Sequence, residues 1–390
     1  MKLDPAAWLD RPGVKRLLNA LGGNDGEARL VGGAVRDLLL GEDPGDLDLA
    51  TGHSPLEVIR RLEAAGIKAI PTGIEHGTIT AVASGTLVEV TTLRADLVTD
   101  GRRATVAFTD DWRGDAARRD FTINALYADP FSGEIFDYFG GLGDLRERRV
   151  RFIGEPLQRI AEDHLRILRY FRFHARYAVG DPDPAALAAC ATRANDLMAL
   201  SRERIADELI KLLGLPDPAA TVALMIEHGL FAPVLPEITT AEPLAALIVA
   251  ELGANIAPAP LRRLAALLPR DPAVADKVAA RLKFSNKARK RLALAVEPSL
   301  GASIHSLAYR IGTEAAVDRL LLAGRPDAAV EASAWPVPRL PVSGGQLIAR
   351  GVAQGPNVAS ALKRIEQAWE DAGFPGGAAI ERLVDEIVPR

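Results

Sequence analysis

From residue 28 to about residue 150 the apolar positions alternate in short runs, the period of half-buried strands, with helical spacing between them. "ARLVGG" (28–33) reads as a strand opening into a helix over Ala34–Leu40. "DLDLA" (46–50) is a second strand, and "GTITAVA" (77–83) and "TLVEVTTLR" (86–94) are two more. Between them "SPLEVIRRLEAAG" (54–66) is a helix with a clear start: Ser54 as N-cap, Pro55 at the first helical position and Glu57 as the capping-box acid. The segment from about Asp96 to Arg119 carries "DGRR" and "TDDWRGDAARR" with little periodicity, and is expected to be a flexible functional loop. After Gly154 the strand pattern disappears. Ala/Leu/Arg-rich helical spacing then runs to the C-terminus, broken by Pro/Gly stretches near 180–184, 214–218, 233–236, 257–260 and 336–345. The expectation is an α+β chain: a head with a small β-sheet, then an all-helical remainder in several units.

Composition narrows the functional classes. A chain of 390 residues exceeds one ordinary core, so several domains are expected. A balance of 47 Lys and Arg against 51 Asp and Glu excludes a globally basic nucleic-acid binder while leaving room for a local basic stripe. The single cysteine, Cys190, excludes an internal disulfide and a Cys-rich zinc site, and it fits a reducing cytoplasm. The N-terminus "MKLDPAAWLDRPG" lacks the apolar stretch of a signal peptide. No apolar run approaches the ~18 residues needed to span a bilayer. A soluble, cytoplasmic protein without a membrane partner is expected.

Four clusters carry candidate chemistry. On a strand, Asp46 and Asp48 project to one face while Leu47 and Leu49 face the core, so the two carboxylates converge. Such a pair holds Mg²⁺ against nucleotide phosphates; an acidic patch on an edge strand is the commoner outcome of a bare D-x-D. Gly32 and Gly33 sit at a strand-to-helix junction where backbone N–H groups can approach an anion, with Arg36 one turn further on; an ordinary helix-entry turn and a surface ion pair to Asp37 or Asp43 fit equally. The spacing matches neither the Rossmann nor the P-loop fingerprint. In "RRDFTINALY" (118–127), Asp120 and Asn124 share a helical face beside Arg119, a set suited to ribose hydroxyls and phosphates, or simply a capped amphipathic helix. In "RIAEDHLRILRYFRFHARY" (159–177), Glu162 and Asp163 lie four and three residues before Arg166, and Arg169, Arg172 and Arg176 extend the basic side; solvated helix ion pairs show the same pattern.

In this order the four clusters resemble the class II branch of the tRNA nucleotidyltransferase/poly(A) polymerase family, within the superfamily that includes DNA polymerase β. The likeness continues through "DYFGGLGDL" (Asp137, Gly141, Asp144, Leu145), similar to the family's hinge motif, and "ERIADEL" (Glu203, Arg204, Ile205, Glu208), similar to the motif closing the nucleotide-binding neck. "LPVSGGQLIARGVAQGPNVASAL" (340–362) is similar to a C-terminal element of these enzymes. The stretch "IPTGIEHGTITAV" (70–82) resembles CCA-adding enzymes rather than the basic segment of bacterial poly(A) polymerases. The 94–119 loop looks full length, unlike that of enzymes adding only the two cytidines. No His-Asp pair occurs, so a fused HD phosphohydrolase domain is not expected.

The resemblance implies a polymerase-β-like catalytic head over 1–150, a base-recognising neck over 151–215, a helical body over 216–300 and a tRNA-binding tail over 301–390. It implies template-independent addition of CCA to the tRNA 3′ end from CTP and ATP, with Mg²⁺ as cofactor and no protein partner. Asp46 and Asp48 would hold the metal, with Glu89 a third catalytic carboxylate on the same strand face as Thr91. Gly32, Gly33, Arg36 and Arg119 would hold the triphosphate, and Asp120 and Asn124 the ribose. Asp163 and Arg166 would read the base, with Glu162 orienting Arg166 and Arg169 alongside. Arg172, Arg176, Lys287, Arg289 and Lys290 are candidate tRNA contacts, the last three from the acid-free run "RLKFSNKARKRL" (281–292). A poly(A) polymerase and a non-catalytic RNA-binding relative are the competing readings.

Overall fold

The computed structural model describes residues 2–99 and 104–388. Nine strands are seen among them: β1 (Ala28–Val31), β2 (Leu47–Thr51), β3 (Lys68–Gly73), β4 (Thr78–Ala83), β5 (Thr86–Thr92), β6 (Arg94–Thr99), β7 (Ala104–Phe108), β8 (Leu126–Ala128) and β9 (Ile135–Asp137). Seven form one mixed sheet in the order β3-β4-β5-β2-β1-β8-β9, and β6 and β7 pair separately as an antiparallel hairpin. β2 lies inside the sheet, antiparallel to β1 and parallel to β5. Its alternation explains the placement: Leu47 and Leu49 are buried, and Asp48 emerges on the opposite side, in register with Glu89 of β5.

The helix Pro55–Ala64 starts as its sequence predicts, Ser54 Oγ accepting from the Glu57 N–H at 3.3 Å. Glu57 does not close a capping box. Its carboxylate accepts from Arg60 and Arg61 at 2.6 and 2.7 Å, because two guanidiniums one turn on outcompete a backbone N–H. Val58 and Leu62 are buried, and the helix packs on β3, β4 and β5.

Three local expectations are corrected. The segment from Asp96 to Arg119 is not aperiodic: it forms the β6–β7 hairpin and the helix Trp112–Ala117, while "DGRR" (100–103) lies outside the described residues. "RRDFTINALY" is a single 3-10 turn over Thr122–Asn124 followed by β8, not an amphipathic helix. β-Branched Thr122 and Ile123 and the sheet pairing of β8 with β1 and β9 outweigh the helical spacing. The helical pattern of 159–177 is broken at Asp163, between the helices Pro156–Glu162 and Arg166–Tyr177.

The chain divides into two compact units, Met1–Leu212 with Ala220–Pro236, and Leu213–Ala219 with Glu237–Arg390. In the first, an aromatic cluster ties the segment after Arg119 to the helix Arg166–Tyr177. Phe121 packs on Phe152 and Phe173 at 5.1 Å, and Phe152 stacks on Tyr170 at 5.5 Å. Backbone bonds from Ile153 N to Asp120 O and from Thr122 N to Arg151 O hold the same join. The segment 137–145 supports the same join. Asp137 caps the helix Gly141–Arg146 with its carboxylate, and buried Asp144 accepts from Thr122, Arg149 and Arg151. Gly141 is required here, since a Cβ would lie 2.3 Å from the Thr122 carbonyl oxygen.

Helices are the only regular elements among the described residues of the second unit. Its interior holds a matched charge network. Glu251 accepts from Arg262 at 2.7 Å and from Arg263 at 2.8 Å, and Asp318 accepts from Arg262 at 3.2 Å and Arg291 at 2.7 Å.

Candidate active site

One cleft of about 490 Å³ in the first unit collects most of the candidate residues. Gly32, Gly33, Arg36, Asp48, Glu89, Arg119, Asp120, Asn124, Asp163, Arg166 and Arg169 all line it. Of the remaining candidates, Asp46 is exposed in the bend before β2, and Glu162 stands behind Arg166.

On the sheet side the charges are unbalanced. Burial pushes the Asp48 carboxyl up to about 6, and the neighbouring negative charges of Glu89 and Asp46 push the same way against Arg119 and Arg36. Among the described residues no group of three or more His, Cys, Asp or Glu stands preassembled as a metal site. The donor chemistry nevertheless fits a hard divalent cation, since oxygen ligands that repel one another are what Mg²⁺ would neutralise.

Opposite them, Gly32 takes φ +66° with its N–H bonded to Leu126 O, and a Cβ there would come within 3.3 Å of Arg119 Nη1. The helix Gly33–Leu39 follows at once and carries Arg36 inward, 6% exposed, with its guanidinium 4.3 Å from the Tyr177 ring. Arg36 bonds Asp37 at 2.8 Å and the Asn124 amide oxygen; Asp43 pairs instead with Arg11. From there a polar chain crosses the cleft floor. Asn124 Nδ2 donates to Asp120 Oδ1 at 3.0 Å, Arg169 Nε donates to Asp120 Oδ2 at 2.7 Å, and Arg172 Nε donates to Glu208 at 2.6 Å with Arg169 nearby. Burial alone would raise Asp120, but Arg169 and the Asn124 amide hold its carboxyl down at about 2. One amide hydrogen of Asn124 and the remaining lone pairs of Asp120 are what this pair still offers a ligand.

At the break between the helices Pro156–Glu162 and Arg166–Tyr177, Asp163 and Arg166 line the cleft with no bond between their side chains. Arg166 Nη1 donates to Glu162 Oε2, and Asp163 accepts from Arg204 Nη2 at 2.8 and 3.1 Å. The carboxylate and the guanidinium therefore present adjacent acceptor and donor groups from two separately fixed side chains.

Sequence reasoning passed over two residues that organise this site. Asp115, 1% exposed, accepts from Arg118 Nε at 2.8 Å, Arg119 Nη2 at 3.1 Å and the Tyr127 hydroxyl at 2.7 Å. Burial opposes its charge, yet Arg119 and Arg118 hold its carboxyl at about 2, so it stays ionised. Its spacing of three and four residues from the two arginines was the available signal. Arg159 is the second, three residues before Glu162 and bonded to it.

The candidate tRNA contacts do not share one environment. Arg172 is turned to Glu208, Arg176 pairs with Glu42 at 3.2 Å, and Arg289 pairs with Asp276 at 2.9 Å. Lys287 and Lys290 are exposed, as is Lys283.

Residues 28–151 match the family model described as the poly A polymerase head domain, and 181–242 match the probable RNA and SrmB-binding site of polymerase A. The mouse protein named CCA tRNA nucleotidyltransferase 1, mitochondrial, is 36% identical over 382 residues, covering 93% of this chain and 87% of the relative. The CCA-adding enzyme of Bacillus licheniformis is 40% identical over 218 residues, 55% of this chain and 53% of its own. Among solved structures, the Bacillus stearothermophilus CCA-adding enzyme in complex with CTP superposes with a TM-score of 0.71 at 29% identity, covering 96% of this chain and 98% of that one. The Thermotoga maritima CCA-adding enzyme complexed with tRNA shares the fold, with a TM-score of 0.70 at 20% identity over 99% of both chains.

Proposed function

Because the chain belongs to the CCA tRNA nucleotidyltransferase family, we propose that its cleft adds cytidine and adenosine to the tRNA 3′ end without a nucleic-acid template. The 3′-hydroxyl gives up its proton to solvent, its oxygen bonds to the α-phosphorus of CTP or ATP, the bond from that phosphorus to the α–β bridging oxygen breaks, and pyrophosphate leaves with the displaced electron pair. Asp46 and Asp48 would hold Mg²⁺, which would supply neutralisation of the negative charge that develops during the transfer. Glu89, in register with Asp48, adds a third carboxylate to that face. Arg36 and Arg119, with the Gly33 N–H and the close approach that a side-chain-free Gly32 allows, hold the triphosphate in line. Asp120 and Asn124 hold the ribose.

Base selection follows from the donor and acceptor order. Cytosine and adenine both place an exocyclic amine beside an acceptor ring nitrogen. Asp163 accepts from the amine, and Arg166, steadied by Glu162, donates to the ring nitrogen, with Arg169 beside them. Uracil and guanine set a carbonyl beside an N–H, leaving both side chains mispaired in a partly buried site. The observation that supports this reading best is the gathering of carboxylates, arginines, Asp120–Asn124 and Asp163–Arg166 around one nucleotide-sized volume. The test is Asp163→Ala assayed with each of the four nucleotides. Relaxed selectivity with tRNA affinity retained is expected; selectivity like that of the unmodified protein would remove Asp163 from base reading.

Within the same reading, residues 1–150 are the catalytic head, 151–215 the base-reading neck, 216–300 the body and 301–390 the tRNA-binding tail. Arg172, Arg176, Lys287, Arg289 and Lys290 contact tRNA phosphates. No helix of the described residues is long and apolar enough to cross a membrane. Buried Cys190 fits a reducing compartment, which the cytoplasm provides; the mouse and human relatives are named mitochondrial, so fractionation of the native protein decides between the two.

A further inference from the structure

The base-reading element meets the Arg118–Asp120 segment through a closed ring of hydrogen bonds that begins at Arg159. Arg159 lies on the helix Pro156–Glu162, is 8% exposed, and is not among the side chains lining the cleft. Its Nη2 donates to the carbonyl oxygens of Arg118 and, at 2.8 Å, Arg119, and its Nη1 donates to Glu162 Oε1 at 2.9 Å. Arg166 closes the ring. Its Nη1 donates to Glu162 Oε2 and to the Arg159 carbonyl at 2.9 Å, and its Nη2 donates to the Arg118 carbonyl at 3.1 Å. Two planar guanidinium forks thus share one carboxylate and one backbone carbonyl.

The geometry has a direct consequence for recognition. Arg118, Arg119 and Asp120 are consecutive, so the backbone held by Arg159 is the backbone that presents the proposed phosphate and ribose groups. Glu162, held by the same fork, is the group that orients Arg166. We propose that Arg159 is a positioning residue for base selection: it fixes the separation between the side chains that read the base and those that hold the sugar and phosphates of the same nucleotide. The proposal rests on the base-reading role given to Asp163 and Arg166. Rejection of uracil and guanine depends on their polar edges being unable to shift into register, and slack of about 1 Å in a reacting site is enough to cost on the order of 10²-fold. A lysine keeps the charge but, as a single point donor, cannot span the Arg118 and Arg119 carbonyls and Glu162 together.

The test measures kcat and KM for CTP, ATP, UTP and GTP on tRNA lacking its 3′ end, with the full chain, Arg159→Met, Arg159→Lys and Asp163→Ala. Arg159→Met should raise UTP use relative to CTP by about tenfold to hundredfold, mainly through a higher KM for CTP, with Arg159→Lys between it and the unmodified protein. A residue that merely staples two helices would lower the melting temperature and slow all four nucleotides alike. If both Arg159 variants reject UTP and GTP as the unmodified protein does while Asp163→Ala accepts them, base reading stands and the Arg159 proposal is overturned. If Asp163→Ala also keeps full selectivity, both fall. Should Arg159→Met not fold, Arg159→Lys decides by the same criterion.

Discussion

Two regions of this protein gather charge, and they do so in opposite ways. In the helical unit, Glu251 and Asp318 each sit between guanidiniums at hydrogen-bond distance, and the buried negative and positive groups match one another. In the cleft of the first unit, Asp48 faces Glu89 across β2 and β5 with Asp46 nearby, and no arginine among the described residues forms an ion pair with it. The first arrangement is complete without a ligand. The second is left with a repulsion that Arg119 and Arg36 offset only in part and that a proton or an added cation relieves. The contrast separates charge paired to hold a fold from charge left open for a partner.

The sharpest way to break this contrast is to neutralise one acid in each region. Asp48→Asn should lower the single-turnover rate of CTP addition by about 10³-fold or more while the protein stays folded by circular dichroism. Glu251→Ala should do the reverse, leaving buried Arg263 without its acid and Arg262 with Asp318 alone. A loss of about 3–5 kcal/mol in urea unfolding of the helical unit is expected, with nucleotide addition retained where the protein remains folded. Equal effects of the two substitutions on folding would erase the distinction.

A third prediction concerns pH. The Asp48 carboxyl is raised in the folded, metal-free protein to about 6, so the native state binds this proton more tightly than the unfolded chain does. Its contribution to stability is therefore present below about pH 4 and lost as the pH rises through about 6. Asp48→Asn should stabilise the metal-free protein by on the order of 2 kcal/mol at pH 8 and leave it unchanged at pH 4. Divalent-cation affinity should rise with pH through about 6, measured by titration calorimetry, and be absent in the variant.

The smallest effect is expected at the exposed lysines. Lys287→Ala should weaken tRNA binding uniformly and reduce the slope of log affinity against log salt by about 1, without touching nucleotide choice. An unchanged slope would remove this face from the tRNA contacts.

What was legible in the sequence divides along physical lines. Strands β1, β2, β4 and β5 and the Ser54-capped helix were readable because alternation and capping chemistry are local. β3, β8 and β9 were not recognised: "KAIPTG" alternates poorly and carries a proline, and the three-residue strands take their identity from neighbours in the sheet. The pairing of Asp48 with Glu89 depends on the register of β2 and β5, some forty positions apart, and no spacing rule encodes it. Asp120 and Asn124 do meet, at 3.0 Å, but through a tight turn rather than a helical face. The partner of Asp163 lies forty-one residues on, at Arg204, although Arg166 is the cation nearest in sequence. Local rules found the residues; tertiary pairing decided which of them touch.

The measurement that bears most directly on the central claim is addition to tRNA lacking its 3′ end, with Mg²⁺ and one nucleotide at a time. The account predicts that CTP alone adds two cytidines and stops, that ATP then adds a single adenosine, and that UTP and GTP are refused with no nucleic-acid template present. Runs of adenosine from ATP alone on varied RNA ends, or no incorporation at all by the folded protein, would contradict it.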